Sequence, residues 1–349
     1  MLRAGRDARS APAATAHSPI RRYAMSPMPT RRLPADDLAA IADAAALLRE
    51  GAVVAFPTET VYGLGADATD ADSVVRIYAA KERPRFNPLI AHLPDARAAM
   101  AEGVFDADAR RLAEAFWPGP LTLVVPRADG GSVCDVARAG LDSVALRVPA
   151  HPVAQALLRA AARPIVAPSA NRSGRVSPTT ADHVLEDLEG RIAAVLDGGE
   201  TRVGVESTIV ACLDGTPRLL RPGGVPREAI EAVLGRPLDG ARPEGGVQAP
   251  GMLASHYAPR ARVRLDAREI GPDEAALLFG PDEPAGADRA LARETLSASG
   301  DLAEAAARLF GAMRRLDASG AETIAIVPIP VHGLGEAIRD RLARAAAER

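Results

Sequence analysis

Aromatic residues are scarce in this chain of 349 residues, with six Phe, four Tyr and one Trp making up 3%. Its cores must therefore be built from Ala, Val, Leu and Ile, and a hydrophobic content of 48% supplies them. The same shortage removes most of the ring platforms on which single-stranded nucleic acids are stacked. Cysteine is nearly absent: Cys134 and Cys212 lie in apolar stretches at no metal-ligand spacing, which points to reduced thiols and a cytoplasmic location. There is no apolar run of about 18 residues, so neither a transmembrane helix nor a membrane partner is expected. A net charge of −3 excludes a broad basic surface and confines any RNA contact to weak binding at a small patch.

Lysine is the sharpest shortage. Of 42 basic residues, only Lys81 is lysine. A chain that writes its cations as Arg keeps one Lys by chance, or where a compact point charge is needed instead of a planar fork.

Residues 1–34 differ in kind, with seven Arg, one acid and internal Met25 and Met28. That composition fits an over-extended start better than an organellar transit peptide, and either reading sets the segment outside the fold. Beyond it, apolar periodicity predicts helices over 36–50, 71–81, 107–116, 151–162, 180–190 and 226–234. Between them come short apolar strands, the clearest at 52–56, 89–92, 121–125, 143–148, 165–167, 194–196, 208–211 and 218–220. This alternation is the mark of an α/β domain, 35–235, on a large twisted sheet. Residues 236–261 are rich in Pro and Gly and read as a linker. Strands at 263–265, 276–279 and 323–327, with helices at 301–316 and 335–347, then make a smaller α/β domain over 262–349.

Four stretches carry candidate chemistry. In PTETVYGLGADA, Pro57 to Ala68, Thr58 and Thr60 place hydroxyls where a strand ends. Gly63, Gly65 and Ala68 formally satisfy G-x-G-x-x-A, but that fingerprint should open directly from a strand into a helix, so the dinucleotide reading is rejected. In KERPRFNPLIAHL, Lys81 to Leu93, Lys81 and Arg83 end a helix beside Asn87, a clamp suited to a triphosphate. Ala80 precedes the only lysine, so any ATP site is not a P-loop. In SVALRVP, Arg147 sits inside a strand, where a charge needs a partner; a substrate carboxylate or a structural acid would both serve. In APSANRSGRVSPTT, Ser169, Asn171, Ser173, Ser177 and Thr179 crowd a strand-to-helix junction of the kind that binds phosphate and ribose. VESTIV with Ser207 and LLRPGG with Arg221 are weaker signals. His151, His183, His332 and Trp117 are expected to be structural.

Taken in order, PTETVYGLG, K-x-R-P-x-x-N-P-L, SVALRVP, APSAN and VESTIV resemble the Sua5/YrdC/YciO family over roughly residues 38–235. The later string PGMLASHYAP resembles the family's long, two-domain form. The resemblance implies a twisted mixed-sheet YrdC-like domain with a deep cavity, followed by a small Rossmann-like domain. It implies an ATP-dependent condensation of L-threonine and bicarbonate to threonylcarbamoyl-adenylate, for a modified adenosine of tRNA, with downstream threonylcarbamoyl-transferase proteins as partners. By the same resemblance Thr60, His92, Arg147, Ser207 and the backbone of Ala167 would hold L-threonine. Arg83, Asn87, Ser143, Ser169, Ser177 and Arg221 would surround ATP, with Tyr257 covering it. Lys81 and Arg83 would serve catalysis near the phosphates, and Mg2+ would arrive on ATP, with no protein side chain as ligand.

Overall fold

The structure, a computed structural model, describes residues 29–84, 87–240 and 256–347. The N-terminal unit is built on one mixed sheet. Its strands are β1 (Arg31–Pro34), β2 (Val54–Pro57), β3 (Tyr62–Asp67), β4 (Ile90–His92), β5 (Leu121–Pro126), β6 (Ser143–Arg147), β7 (Ile165–Val166), β8 (Ala194–Asp197), β9 (Thr208–Ala211), β10 (Arg218–Arg221) and β11 (Asp239–Gly240). They run in the order β1-β8-β2-β3-β7-β4-β6-β5-β9-β10-β11. Helices pack on its faces. α1 (Leu38–Arg49) starts at Asp37, whose side chain accepts the Ala39 N–H, and it buries Ile41, Ala44, Ala45 and Leu48. Its Ala-rich face packs on α6 (Pro152–Ala161), the close contact that a chain poor in rings favours.

Three differences from the sequence expectation concern this unit. The segment 1–34 was expected to lie outside the fold, yet Arg31–Pro34 forms β1, parallel to β8, with Leu33 buried. Residues 1–28 lie outside the described residues. β3 was not expected, because two glycines in six residues look like a turn. The glycines are there for close approach: a Cβ on Gly65 would lie 2.9 Å from the Phe56 ring, and one on Gly63 3.0 Å from the Ala167 Cβ. Both therefore belong to an antiparallel hairpin strand, as the rejection of a dinucleotide turn requires. Finally, the start of the expected linker joins the sheet, with β11 parallel to β10 and Leu238 buried.

The C-terminal unit is a four-stranded parallel sheet of β12 (Arg262–Arg264), β13 (Ala275–Leu278), β14 (Ala292–Thr295) and β15 (Thr323–Ile326), ordered β12-β15-β13-β14. Helices α9 (Leu302–Ala318) and α10 (Leu334–Ala346) pack together beside it. The two units share one apolar cluster, in which Val61, Val176 and Val205 of the first meet Ala306, Phe310 and Ile338 of the second. Contact is close at Gly204, where a Cβ would fall 2.2 Å from the Ala306 carbonyl oxygen. Glycine is needed there for the α9 backbone to reach the N-terminal unit, and its φ of +75° fits.

Candidate active site

The centre of the large sheet sets out the site. Strand register places His92, Arg147, Thr122, Ile209 and Arg221 in one row across β4, β6, β5, β9 and β10. A bulge between Leu219 and Arg221 is what brings Arg221 into the row. Above the row the β2–β3 turn, Thr58 to Val61, folds over. The Thr58 hydroxyl donates to the Val61 carbonyl at 2.7 Å and lies 2.8 Å from the Thr60 hydroxyl. Opposite, β7 runs into Ala167, Pro168 and Ser169, and the Ala167 N–H donates to the Ile90 carbonyl.

These elements line a cavity with about 520 Å3 of empty space, open solvent at its mouth included. Nine of the residues expected from the sequence line it: Thr60, Arg83, His92, Arg147, Ala167, Ser169, Ser207, Arg221 and Tyr257. Lys81, Asn87, Ser143 and Ser177 are not on its wall. Lys81 is buried behind it, and its ammonium donates to the Ser169 and Asn171 carbonyls, each at 2.5 Å. Lysine thus ties down the APSAN loop, and burial together with Arg83 pushes its pKa well below the usual lysine value. Asn87 is buried with its side-chain oxygen unpartnered. Ser143 stands on the face of β6 that carries Arg147, four residues and so roughly 13 Å away. The Ser177 hydroxyl donates to Glu206 at 2.6 Å.

Two acids that sequence reasoning did not select belong to the site: Glu206 lines the cavity, and Glu59 stands off its wall against Arg147. Glu59 accepts from Arg147 at 2.6 Å, so the strand arginine has a resident carboxylate. Glu206 accepts from Arg341 of α10 at 2.7 Å. Burial opposes its ionisation, but Arg341, Arg221 and the Ser177 hydroxyl outweigh it and hold the carboxyl at about 2. Each acid lies inside a motif already singled out, PTET and VEST, and that was the available signal. His256 was noted only as part of the linker, and it also lines the cavity.

Charge is unevenly balanced along the wall. Arg83 is buried, and among the described residues its Nη2 reaches only the Pro88 carbonyl at 3.3 Å and its Nε has no partner. Among the described residues no carboxylate pairs with it, and burial lowers its pKa to about 10. His92, against the edge of Phe56 and with Nδ1 3.1 Å from the Ile90 carbonyl oxygen, is driven to about 3 by burial and by Arg147. It is a neutral imidazole at physiological pH. Tyr257 is stacked on Phe310 with ring centroids 5.6 Å apart, and its φ is +62°. Such a wall can hold a carboxylate at Arg147, bind further negative charge at Arg83 and Arg221, and exclude water. Among the described residues there is no cluster of His, Cys, Asp and Glu able to hold a metal ion. Trp117 packs edge-on to Phe105, and His151 caps α6.

A family profile described as "Telomere recombination" (Sua5, YciO and YrdC) matches residues 46–223. A second, described as "Threonylcarbamoyl-AMP synthase, C-terminal domain", matches residues 225–347. The chain belongs to this family. A threonylcarbamoyl-AMP synthase of Bacillus subtilis is 43% identical over 88% of this chain and 93% of its own length. One of Pyrococcus abyssi is 43% identical over 88% and 94%. The crystal structure of the P. abyssi Sua5 protein complexed with L-threonine superposes with a TM-score of 0.81 at 39% identity, covering 89% of this chain and 95% of that one. Both units of the fold are thus shared with the long form of the family.

Proposed function

We infer that the chain is a threonylcarbamoyl-AMP synthase, converting L-threonine, bicarbonate and ATP to threonylcarbamoyl-AMP, pyrophosphate and water. The observation that carries this reading is one cavity with a carboxylate-holding arginine, Arg147, and a buried arginine, Arg83, with which no acid among the described residues pairs. Full-length relatives that bear this name support it.

In the proposed arrangement the threonine carboxylate engages Arg147, with Thr60, His92, Ser207 and the Ala167 backbone around the rest of the amino acid. Neutral His92 can accept or donate a hydrogen bond there without adding charge. The triphosphate lies toward Arg83 and Arg221, and the nucleotide extends along β6 toward Ser143, beneath Tyr257. The threonine amine takes up CO2 from bicarbonate to form a carbamate. A carbamate oxygen then attacks the α-phosphorus, a P–O bond forms, and the bond to pyrophosphate breaks. No covalent enzyme intermediate is needed, so catalysis is positioning and charge stabilisation. Mg2+ carried on the phosphates would supply further neutralisation. Lys81 acts from behind, by fixing the Ser169–Asn171 loop. The adenylate would pass to transferase proteins acting on tRNA in the cytoplasm.

The test is to incubate the protein with ATP, Mg2+, bicarbonate and a panel of amino acids, and to follow pyrophosphate and the adenylate. Threonine-dependent formation of both is expected. Pyrophosphate release indifferent to the amino acid would refute the reading.

A further inference from the structure

Arg341 is a charged side chain with no exposure, on the last helix of the C-terminal unit. Its guanidinium is used in three directions. Nε donates to Glu206 at 2.7 Å, Nη2 to the Pro222 carbonyl at 3.0 Å, and Nη1 to Asp340 at 2.5 Å. Its Cζ also lies 5.2 Å from the centre of the Tyr257 ring, which contacts Phe310 of α9 and His256 as well. Asp340 is its neighbour on the same helix, and the other three groups it grips belong to or adjoin the cavity wall. Glu206 receives the Ser177 hydroxyl, Pro222 follows Arg221, and Tyr257 is itself part of the wall.

We propose that Arg341 is a positioning residue of the nucleotide end of the site, so that the C-terminal unit completes the catalytic cavity from behind. This inference rests on the reading of the cavity as an ATP and threonine site. A planar fork suits the role, because one rigid group must fix a carboxylate, a carbonyl and a ring at once. Of the residues placed around threonine, His92, Arg147 and Ala167 are not among the partners of Arg341 and only Ser207 adjoins one, Glu206, so its effect should fall chiefly on the nucleotide. A plain interdomain clasp would stabilise the protein and leave the two substrates equally affected.

The experiment uses the full-length protein and two variants, Arg341→Lys and the double variant Arg341→Met/Glu206→Gln. The double variant removes both charges and so leaves no buried carboxylate unpaired. Binding of α,β-methylene-ATP and of L-threonine is measured by calorimetry, alongside thermal unfolding. Both variants should bind the ATP analogue about tenfold more weakly, with threonine affinity held within about twofold. The double variant should also keep a cooperative melt. Analogue affinity equal to wild type in either folded variant, or equal losses for both ligands, would overturn the proposal. A wild-type protein that binds the analogue but makes no adenylate would count against the reaction itself, while the affinity comparison would still decide the role of Arg341.

Discussion

Arg147 and Arg83 face the same cavity and are both buried, yet among the described residues only Arg147 has a carboxylate. At the first, Glu59 satisfies the guanidinium in the free protein, and an incoming carboxylate must share or displace it. At the second, the charge is desolvated and its Nε unpaired, a state that costs stability and survives in a fold chiefly where function needs it. One end of the cavity is therefore balanced before substrate arrives and the other is not. The unbalanced end is the one suited to several negative charges.

The largest effect is expected at Arg83. Arg83→Met should lower adenylate formation by a factor on the order of 10²–10³, the scale of one lost charge-stabilising donor. Its melting temperature should stay equal or rise, because an unpaired buried charge has gone. A clear drop in a thermal scan would show Arg83 to be structural. At Arg147 the stability effect reverses. Arg147→Met strands Glu59 and should cost about 3–5 kcal/mol in urea unfolding, and adding Glu59→Gln should recover most of it. Arg147→Lys should raise the threonine requirement more than the ATP requirement.

Lys81→Ala should cost about 1–3 kcal/mol for each of the two carbonyls it orphans, together with activity. An exposed lysine at a helix end would cost little stability when truncated. The burial of the Lys81 ammonium is what decides. Urea unfolding of this variant sharpens the contrast with Arg83→Met.

The smallest effect concerns pH. Burial, with nearby arginines, lowers His92 and His256 to about 3 and His183 to about 4. Their unfolded values are near 6.5, so the unfolded chain binds more protons throughout the interval. Stability should fall as pH drops from about 6.5 toward 3. Replacing His92 by Asn should flatten part of that slope. An unchanged slope would mean that His92 titrates normally in the fold.

Much of this was legible because it is local. Asp37 begins α1 and Pro84 follows the end of α2 (Ala71–Lys81), while the apolar runs of β5, β6 and β9 lie where periodicity puts them. What could not be read depends on distant partners. β1 buries only Leu33 and exists because β8, more than 150 residues on, supplies its hydrogen bonds. Glu59 is an ordinary acid in a turn until β6 brings Arg147 to it from 88 residues away. Glu206 and Arg341, 135 residues apart, meet only because the two units dock. Motifs thus located the cavity and most of its wall, whereas the pairing of its charges is a product of topology.

If the two arginines serve different substrates, calorimetry on the intact protein separates them. L-Threonine and α,β-methylene-ATP are titrated separately into wild type, Arg83→Met and Arg147→Lys. A crossed pattern is expected: Arg83→Met loses the nucleotide and keeps threonine, while Arg147→Lys loses threonine and keeps the nucleotide. Equal loss of both ligands in each variant, or the reverse assignment, would contradict it.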